Sequence, residues 1–340
     1  MGKLWLHNEL VDRLAMLQQT EATHPGINQV AIEKDWWVTV TLKALFQTDC
    51  CDSLIFKGGT SLSKGFNIIE RFSEDIDLAI SHSFFGIEKT NKSQRDKLKK
   101  LARRYIQETL SAQLDAQLKD MGITGYTIEN VTQVQDKNGE WKPIDSDKDP
   151  TVILLHYPSI VEDTISYIPP RVKIEISCLS MDEPTEERDI HSLICETFEE
   201  EDPEANCKIR TVVPTRTFLE KLFLLAEEFQ KDKPRSVRMS RHLYDLEKLM
   251  DTEYGREALA DRTLYDAIVE HRRAYYALKY VNYDLHAPAT INFLIPEQAV
   301  ESWKADYADM RRFFIYGQSL EFDVLIRKMV ELQNRVRTMG

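Results

Sequence analysis

The chain has 340 residues, of which 42% are hydrophobic and 29% are charged, and its formal net charge is −12. This length accommodates one large or two moderate domains with an ample core, and the composition is that of an ordinary globular protein. The strongly negative charge argues against a protein covered with nucleic-acid-binding surface, although a local basic patch is compatible with it.

Cysteine usage and the lack of long apolar runs indicate the compartment. The five cysteines are odd in number and do not have the spacing of a zinc site, which favours free thiols in a reducing environment. The N-terminal segment is charged and amphipathic rather than a signal peptide, and no apolar run approaches membrane-spanning length. We therefore expect a cytoplasmic protein with no membrane partner.

The first predicted elements are two amphipathic helices, over residues 3–24 and 28–48, which Pro25-Gly26 separates. The second helix contains the sequence EKDWW at residues 33–37. Its two tryptophans are interpreted as packing residues rather than as a platform for stacking bases.

A strand over 53–57, a tight glycine turn and a helix over 61–71 follow; we call residues 58–61 the phosphate cradle. Glycine has no side chain, so a phosphate can approach the backbone N–H groups of the turn closely. The positive N-terminal end of the following helix would point at the same phosphate. The residues predicted to bind nucleotide phosphates here are Gly58, Gly59, Thr60 and Ser61.

The next predicted strand, over residues 75–80, has the alternating sequence DIDLAI. Asp75 and Asp77 therefore project from one strand face, while the apolar residues project towards a core. Two adjacent carboxylates beside a phosphate cradle are what a Mg²⁺-dependent phosphoryl-transfer site requires. Taken alone, a pair of aspartates two residues apart is more often a solvated strand face.

A long helix is predicted over residues 92–121, and a basic segment overlaps its start. Residues 89–104 carry eight Lys or Arg against the single Asp96. This segment would suit an RNA phosphate backbone. The alternative is a solvated helix face.

Strands are then predicted over 125–135 and 152–157, around a polar loop, and over 172–177. In the last of these, VKIEIS, the alternation places Lys173 and Glu175 on the face opposite the apolar residues. Residues 182–207 are acidic and are predicted to be irregular. Helices are predicted from Pro214 onwards, over 215–230, 239–251, 256–283, 296–314 and 319–337.

A strand, a Gly-Gly-[ST] turn, a helix and then D-x-D on a strand is the core of the polymerase-β-type nucleotidyltransferase fold. The longer string KGGTSLSKGF…RFSEDIDL resembles the AbiEii/AbiGii toxin family within that superfamily. The resemblance implies an α+β fold with a mixed sheet. It also implies a nucleotidyltransferase domain over residues 1–208 and a helical domain over 209–340 that completes the cleft.

The resemblance assigns further site residues. In this fold a third carboxylate lies on a later strand, and Glu175 is the best-placed candidate, as the alternation supports. The implied metal ligands are Asp75, Asp77 and Glu175, with Mg²⁺, or alternatively Mn²⁺, as the ion. Lys64, within the matched string, is assigned to nucleotide binding.

The family also places an essential lysine on a helix of the second half and an aspartate on a following helix. Lys221 lies at the edge of an apolar stripe, where it would either extend to water or bind nucleotide phosphate. Asp245 lies in the matching sequence SRHLYDLEKL, although periodicity alone leaves it solvated. Arg71 is expected to hold the triphosphate or brace the carboxylates, the alternative being an ion pair with Glu70 or Glu74.

The implied activity is transfer of a nucleoside monophosphate from an NTP, within a type IV toxin–antitoxin or abortive-infection system. The resemblance favours the 3′ end of tRNA as the acceptor and implies a cognate antitoxin. Two alternatives remain at this point: nucleotidylylation of a protein, or an NTP- or antitoxin-binding module without catalysis.

Overall fold

The computed structural model describes residues 3–87, 92–136, 138–161, 168–179 and 184–339. Its contacts divide the chain into two compact units, which we describe separately. The first unit consists of Met1–Gly65 and Phe72–Thr211, and the second of Phe66–Arg71 and Val212–Gly340.

A seven-stranded sheet forms the centre of the first unit. Its strands are β1 Leu54–Lys57, β2 Asp75–Ile80, β3 Thr127–Asn130, β6 Thr151–His156, β7 Arg171–Ser177, β8 Thr185–His191 and β9 Asn206–Val212. Their order in the sheet is β3-β6-β7-β2-β1-β9-β8. The sheet is mixed, because β2–β7 and β1–β9 are parallel whereas β1–β2, β3–β6 and β6–β7 are antiparallel. A separate hairpin pairs β4 Gln133–Gln135 with β5 Trp141–Pro143.

Helices pack around this sheet, and the long apolar side chains of the chain supply the core between them. They are α1 Leu10–Thr23, α2 Gln29–Leu45, α3 Gly58–Thr60, α4 Lys92–Tyr105, α5 Ser111–Asp120 and α6 Leu193–Thr197. A π-helical turn joins α4 to α5, so the predicted long helix is continuous, while residues 89–91 of its basic segment lie outside the described residues. Trp36 and Trp37 of α2 are buried, which agrees with their interpretation as packing residues.

The second unit is helical, and its helices are α7 Pro214–Glu228, α8 Arg241–Met250, α9 Glu253–Ala260, α10 Arg262–His271, α11 Val300–Phe313 and α12 Phe322–Arg337. The mixed sheet and this helical part confirm the predicted α+β class. None of the helices in the described residues combines the length and the apolar character needed to cross a membrane.

The strand expected over 125–135 is two strands in the structure, β3 in the seven-stranded sheet and β4 in the separate hairpin. Three further differences concern the helix expected over 61–71, the helix expected over 256–283 and the acidic segment 182–207. The helix expected over 61–71 stops at Gly65 after a π-helical turn, Ser61–Gly65, and the segment Phe66–Arg71 belongs to the second unit. The helix expected over 256–283 is broken at Asp261, which leaves helical geometry and caps α10 through a hydrogen bond from the Leu264 amide.

The third difference is in the acidic segment 182–207, which contains a strand and a short helix rather than irregular structure alone. β8 lies at one end of the sheet order, so among the residues that the structure describes it has a neighbouring strand on one edge only. An edge strand exposes much of its surface, and its sequence TEERDIH is correspondingly polar. Hydrophobic alternation therefore gave no signal for this strand.

Candidate active site

The three predicted carboxylates lie on adjacent parallel strands of the first unit. Asp77 on β2 is directly opposite Glu175 on β7, and Asp75 is opposite Lys173. Residues opposite each other in register share a sheet face, so the three carboxylates lie on one face of the sheet, which we call the carboxylate face. Ile76 on the other face is fully buried, which fixes the direction of the carboxylates.

Two lysines that the sequence did not single out as site residues lie among these carboxylates. Lys173 Nζ is 2.5 Å from Glu175 Oε1, and both side chains are partly exposed. Lys57, the last residue of β1, is opposite Asp77 on the strand's other edge. Strict alternation in KIE predicts that Lys173 and Glu175 are neighbours, so this signal was present in the sequence. The carboxylate face therefore also carries positive charge.

Gly58 approaches Asp77 so closely that only glycine fits. A Cβ built on Gly58 would lie 2.1 Å from Asp77 Oδ2, and the Gly58 φ of +85° is in the left-handed region that favours glycine. The first glycine of the cradle thus makes room for the carboxylate. The phosphate cradle and strand β2 are therefore in direct contact at these two residues.

The hydroxyl groups of the cradle are engaged within the protein. Thr60 Oγ1 donates to the Asp75 carbonyl oxygen at 2.5 Å and lies 2.9 Å from Ser73 Oγ. Ser61 Oγ donates to the Gly58 carbonyl oxygen at 2.9 Å. Both side chains are fully buried, so they hold the turn against β2. A phosphate-binding role for these two residues remains a prediction that concerns their backbone N–H groups.

The donor chemistry of the carboxylate face fits a divalent cation. Carboxylate oxygens are the ligands that hard cations such as Mg²⁺ prefer. Within the described ranges, however, no group of three or more His, Cys, Asp or Glu is arranged to hold a metal ion. Asp75, Asp77 and Glu175 share a face without forming a closed ligand set, and the metal site stays a prediction.

Lys64, predicted to bind nucleotide, is engaged inside the first unit. Its ammonium donates to the Asp35 carboxylate and, at 2.9 Å, to the His191 carbonyl oxygen. Its side chain and that of Asp35 are each 10% exposed. The structure therefore brings Lys64 to helix α2 and the last residue of β8.

The second unit brings three other predicted residues together, with Arg71 and Lys221 at the carboxylate of Asp245. Arg71 donates to both oxygens of Asp245, at 2.7 Å from Nε and 2.8 Å from Nη2. Lys221 Nζ lies 2.8 Å from Asp245 Oδ2. All three side chains are buried, and Asp245 is fully so. Asp245 is therefore not solvated, and Arg71 has Asp245 as its ion-pair partner.

Two cations contact the one carboxylate at the centre of this cluster. Burial opposes ionisation of Asp245, but Arg71 and Lys221 outweigh it and hold the pKa of this carboxyl well below its usual range. Burial lowers the pKa of Lys221, and Asp245 offsets this only in part because Arg71 is also close. The neighbouring His242 has a pKa well below its ordinary value, through burial and these same cations.

The family follows from comparison with known proteins. A model described as nucleotidyl transferase AbiEii toxin, type IV toxin–antitoxin system, matches residues 41–328. The chain belongs to the AbiEii toxin family. It is therefore a nucleotidyltransferase, and membership implies an NTP substrate, a divalent metal and an antitoxin partner.

This AbiEii protein resembles MenT4, a nucleotidyltransferase toxin from Mycobacterium tuberculosis H37Rv, with a TM-score of 0.44 and 17% identity. The likeness covers 96% of this chain and 98% of that one. No curated protein matches the sequence. The family assignment rests on the family model.

Proposed function

We propose that this AbiEii protein transfers a nucleoside monophosphate from an NTP to the 3′ end of tRNA, with Mg²⁺ as the preferred divalent ion. The observation that carries the proposal is the contact between Gly58 and Asp77, beside the pairing of Asp77 with Glu175. It puts a backbone suited to phosphates against carboxylates suited to a cation. NTP and tRNA meet in the cytoplasm, where we place the reaction.

The residues of the first unit would supply donor binding and activation of the acceptor. Backbone N–H groups of the cradle would bind the β- and γ-phosphates, and Asp75 and Asp77 would hold the cation. The cation held by these residues would supply positive charge that offsets the triphosphate charge. Glu175 would complete the ligand set or accept the proton of the attacking hydroxyl.

The reaction forms one bond and breaks one. The acceptor hydroxyl oxygen attacks the α-phosphorus, the bond from this phosphorus to the bridging oxygen breaks, and pyrophosphate leaves with the bonding electrons. The hydroxyl proton passes to the carboxylate base. Lys221 and Arg71, for which the family resemblance predicts phosphate binding, would stabilise the developing charge on pyrophosphate.

The function is tested by incubating the protein with each α-labelled NTP, Mg²⁺, total tRNA and cell extract. We expect label at the 3′ end of tRNA, and replacing Mg²⁺ with a chelator should abolish it. Label in protein instead would indicate protein nucleotidylylation. NTP binding without any label would indicate a non-catalytic module and would contradict the proposal.

The basic face of α4 is the proposed contact for the acceptor backbone. Lys97, Lys100 and Arg104 are exposed and lie three to four residues apart, so they share one helix face. Changing all three to glutamate should weaken tRNA binding by at least about tenfold near 0.1 M salt, because phosphate contacts release counterions. It should also reduce the steepness of the salt dependence, while NTP affinity stays unchanged.

A matched control separates this local effect from the change in net charge. Lys208, Lys304 and Arg327 are also exposed, and changing them to glutamate alters the net charge by the same amount. This control should bind tRNA within about twofold of the wild type, since distant exposed charges are screened. Equal tRNA affinity in the two triple variants would refute the assignment of this face.

A further inference from the structure

Helix α2 carries three consecutive charged residues whose side chains are buried. Glu33, Lys34 and Asp35 are 1%, 2% and 8% exposed. A buried ion pair contributes little net stability compared with apolar residues of similar volume, because its desolvation offsets its attraction. Fold stability alone therefore gives no reason for this cluster. The contacts that these residues make with other segments suggest a different reason.

Lys34 holds the residue that precedes the aspartate strand. Its ammonium lies 2.5 Å from Glu74 Oε2, and both side chains are nearly inaccessible to solvent. Lys34 also donates to the Pro169 carbonyl oxygen at 3.1 Å. Glu74 directly precedes Asp75, so this ion pair fixes the point at which β2 begins.

Asp35 holds the end of the helical segment that begins at the cradle. Its Oδ1 accepts from Lys64 Nζ, and its Oδ2 accepts from the Leu193 amide at 2.8 Å. Lys64 lies in the π-helical turn that continues from α3, one residue before that turn ends. Neighbouring residues on a helix point about 100° apart, which lets Lys34 and Asp35 bind two different segments.

We propose that Lys34 and Asp35 are positioning residues for the NTP site, and that Lys64 acts with Asp35 rather than as a nucleotide ligand. One rigid helix then fixes both the cradle and the aspartate strand. The geometry between phosphate groups and carboxylates depends on both attachments. The inference rests on the proposed function of the cradle and the aspartates.

The test compares Asp35→Asn, Lys64→Met and the double variant. Each single change should lower kcat about 10- to 100-fold, the range observed when residues that orient ligands are lost. KM for NTP should change less than about threefold, because the cradle backbone that contacts the phosphates is retained. The double variant should be no slower than the slower single variant, since the two residues act as one unit.

Several outcomes would overturn the proposal. A large rise in KM for Lys64→Met with unchanged kcat would make Lys64 a nucleotide ligand. Multiplicative losses in the double variant would show that Asp35 and Lys64 act independently. Thermal unfolding gives the melting temperature of each variant. Kinetics measured at a temperature where all variants are folded then exclude loss of the fold as the cause.

Glu33→Gln is the matched control on the same helix. Glu33 is equally buried, but it accepts hydrogen bonds from Ser159 Oγ at 2.5 Å and from the Ile160 amide at 2.9 Å, not from the cradle or β2. This variant should keep kcat within about twofold even where its melting temperature changes. A loss as large as that of Asp35→Asn would indicate a general structural role for the charged cluster and refute positioning.

Asp77→Asn in the same assay separates the two proposals. If the wild type is inactive, or if Asp77→Asn is fully active, the proposed function itself is refuted. If Asp77→Asn is inactive while Asp35→Asn and Lys64→Met transfer at the wild-type rate, only the positioning inference fails.

Discussion

Asp77→Asn is expected to fold like the wild type and to lose nucleotidyl transfer by at least about a hundredfold, the scale of losing one electrostatic group at a reacting centre. Asp77 is central on the carboxylate face, since it is opposite Lys57 on one side and Glu175 on the other. Asparagine keeps the shape of the side chain but removes the charge that a divalent cation requires. Single-turnover transfer from α-labelled NTP measures the loss.

The stability of this variant gives an independent expectation. Like charges directly opposite each other on neighbouring strands repel, so ionised Asp77 and Glu175 weaken the sheet. Lys57, opposite Asp77 on the other side, attracts the same carboxylate, so neutralising Asp77 should change the melting temperature little. An inactive variant that is equally or more stable would assign the carboxylate to chemistry. A lower melting temperature together with near-normal transfer would show that Asp77 is a structural residue.

Gly58→Ala displaces the same carboxylate without changing its chemistry. The added Cβ would collide with Asp77 Oδ2, so transfer should fall about as far as in Asp77→Asn. Gly86 is the matched control, because its φ of +67° is also left-handed but nothing lies within 4 Å of an added Cβ. Gly86→Ala carries a similar backbone penalty and should remain active.

The carboxylate face was predictable because one physical rule specifies it. In DIDLAI and VKIEIS the apolar residues alternate with polar ones, and burial of the apolar face settles where the carboxylates point. The pairing of Asp77 with Glu175 required the sheet topology in addition. The family resemblance supplied that part of the prediction, and the structure shows the register.

Buried charges far apart in sequence could not be predicted from residue patterns. Helical periodicity treats Asp245 as a solvated residue, yet it is fully buried because Arg71, 174 residues away, neutralises it. Glu74 and Lys34 form a buried pair 40 residues apart for the same reason. A charged residue looks polar to any hydropathy rule, whether it faces water or an opposite charge.

The last expectation concerns Asp245. Asp245→Asn leaves the buried cations Arg71 and Lys221 without a counterion, and breaking a buried pair in this way lowers the free energy of unfolding by about 3–5 kcal/mol. Denaturant unfolding near pH 7 measures this loss. Transfer should fall as well, measured at a temperature where the variant is folded, since the cations lose the group that orients them.

The contribution of Asp245 to the free energy of unfolding depends on pH in a definite direction. The folded-state pKa of Asp245 lies below its ordinary value of 3.8, so its ionised form stabilises the wild type above about pH 4. This contribution disappears as pH falls through the lowered folded-state pKa. The difference in the free energy of unfolding between wild type and Asp245→Asn should therefore become smaller at acidic pH. A difference that is independent of pH would mean that Asp245 is not an ionised partner of the two cations.

Lys221→Met distinguishes chemistry from structure within the same cluster. This variant keeps the bidentate pair of Arg71 with Asp245 and leaves no net charge between them, so it should lose less stability than Asp245→Asn. If Lys221 stabilises the leaving pyrophosphate, transfer should still fall by at least about a hundredfold. A Lys221→Met protein that transfers at the wild-type rate would limit this lysine to balancing charge. Because Asp245 itself is inaccessible to solvent, its own role would then be structural, and the reacting groups would be those of the carboxylate face alone.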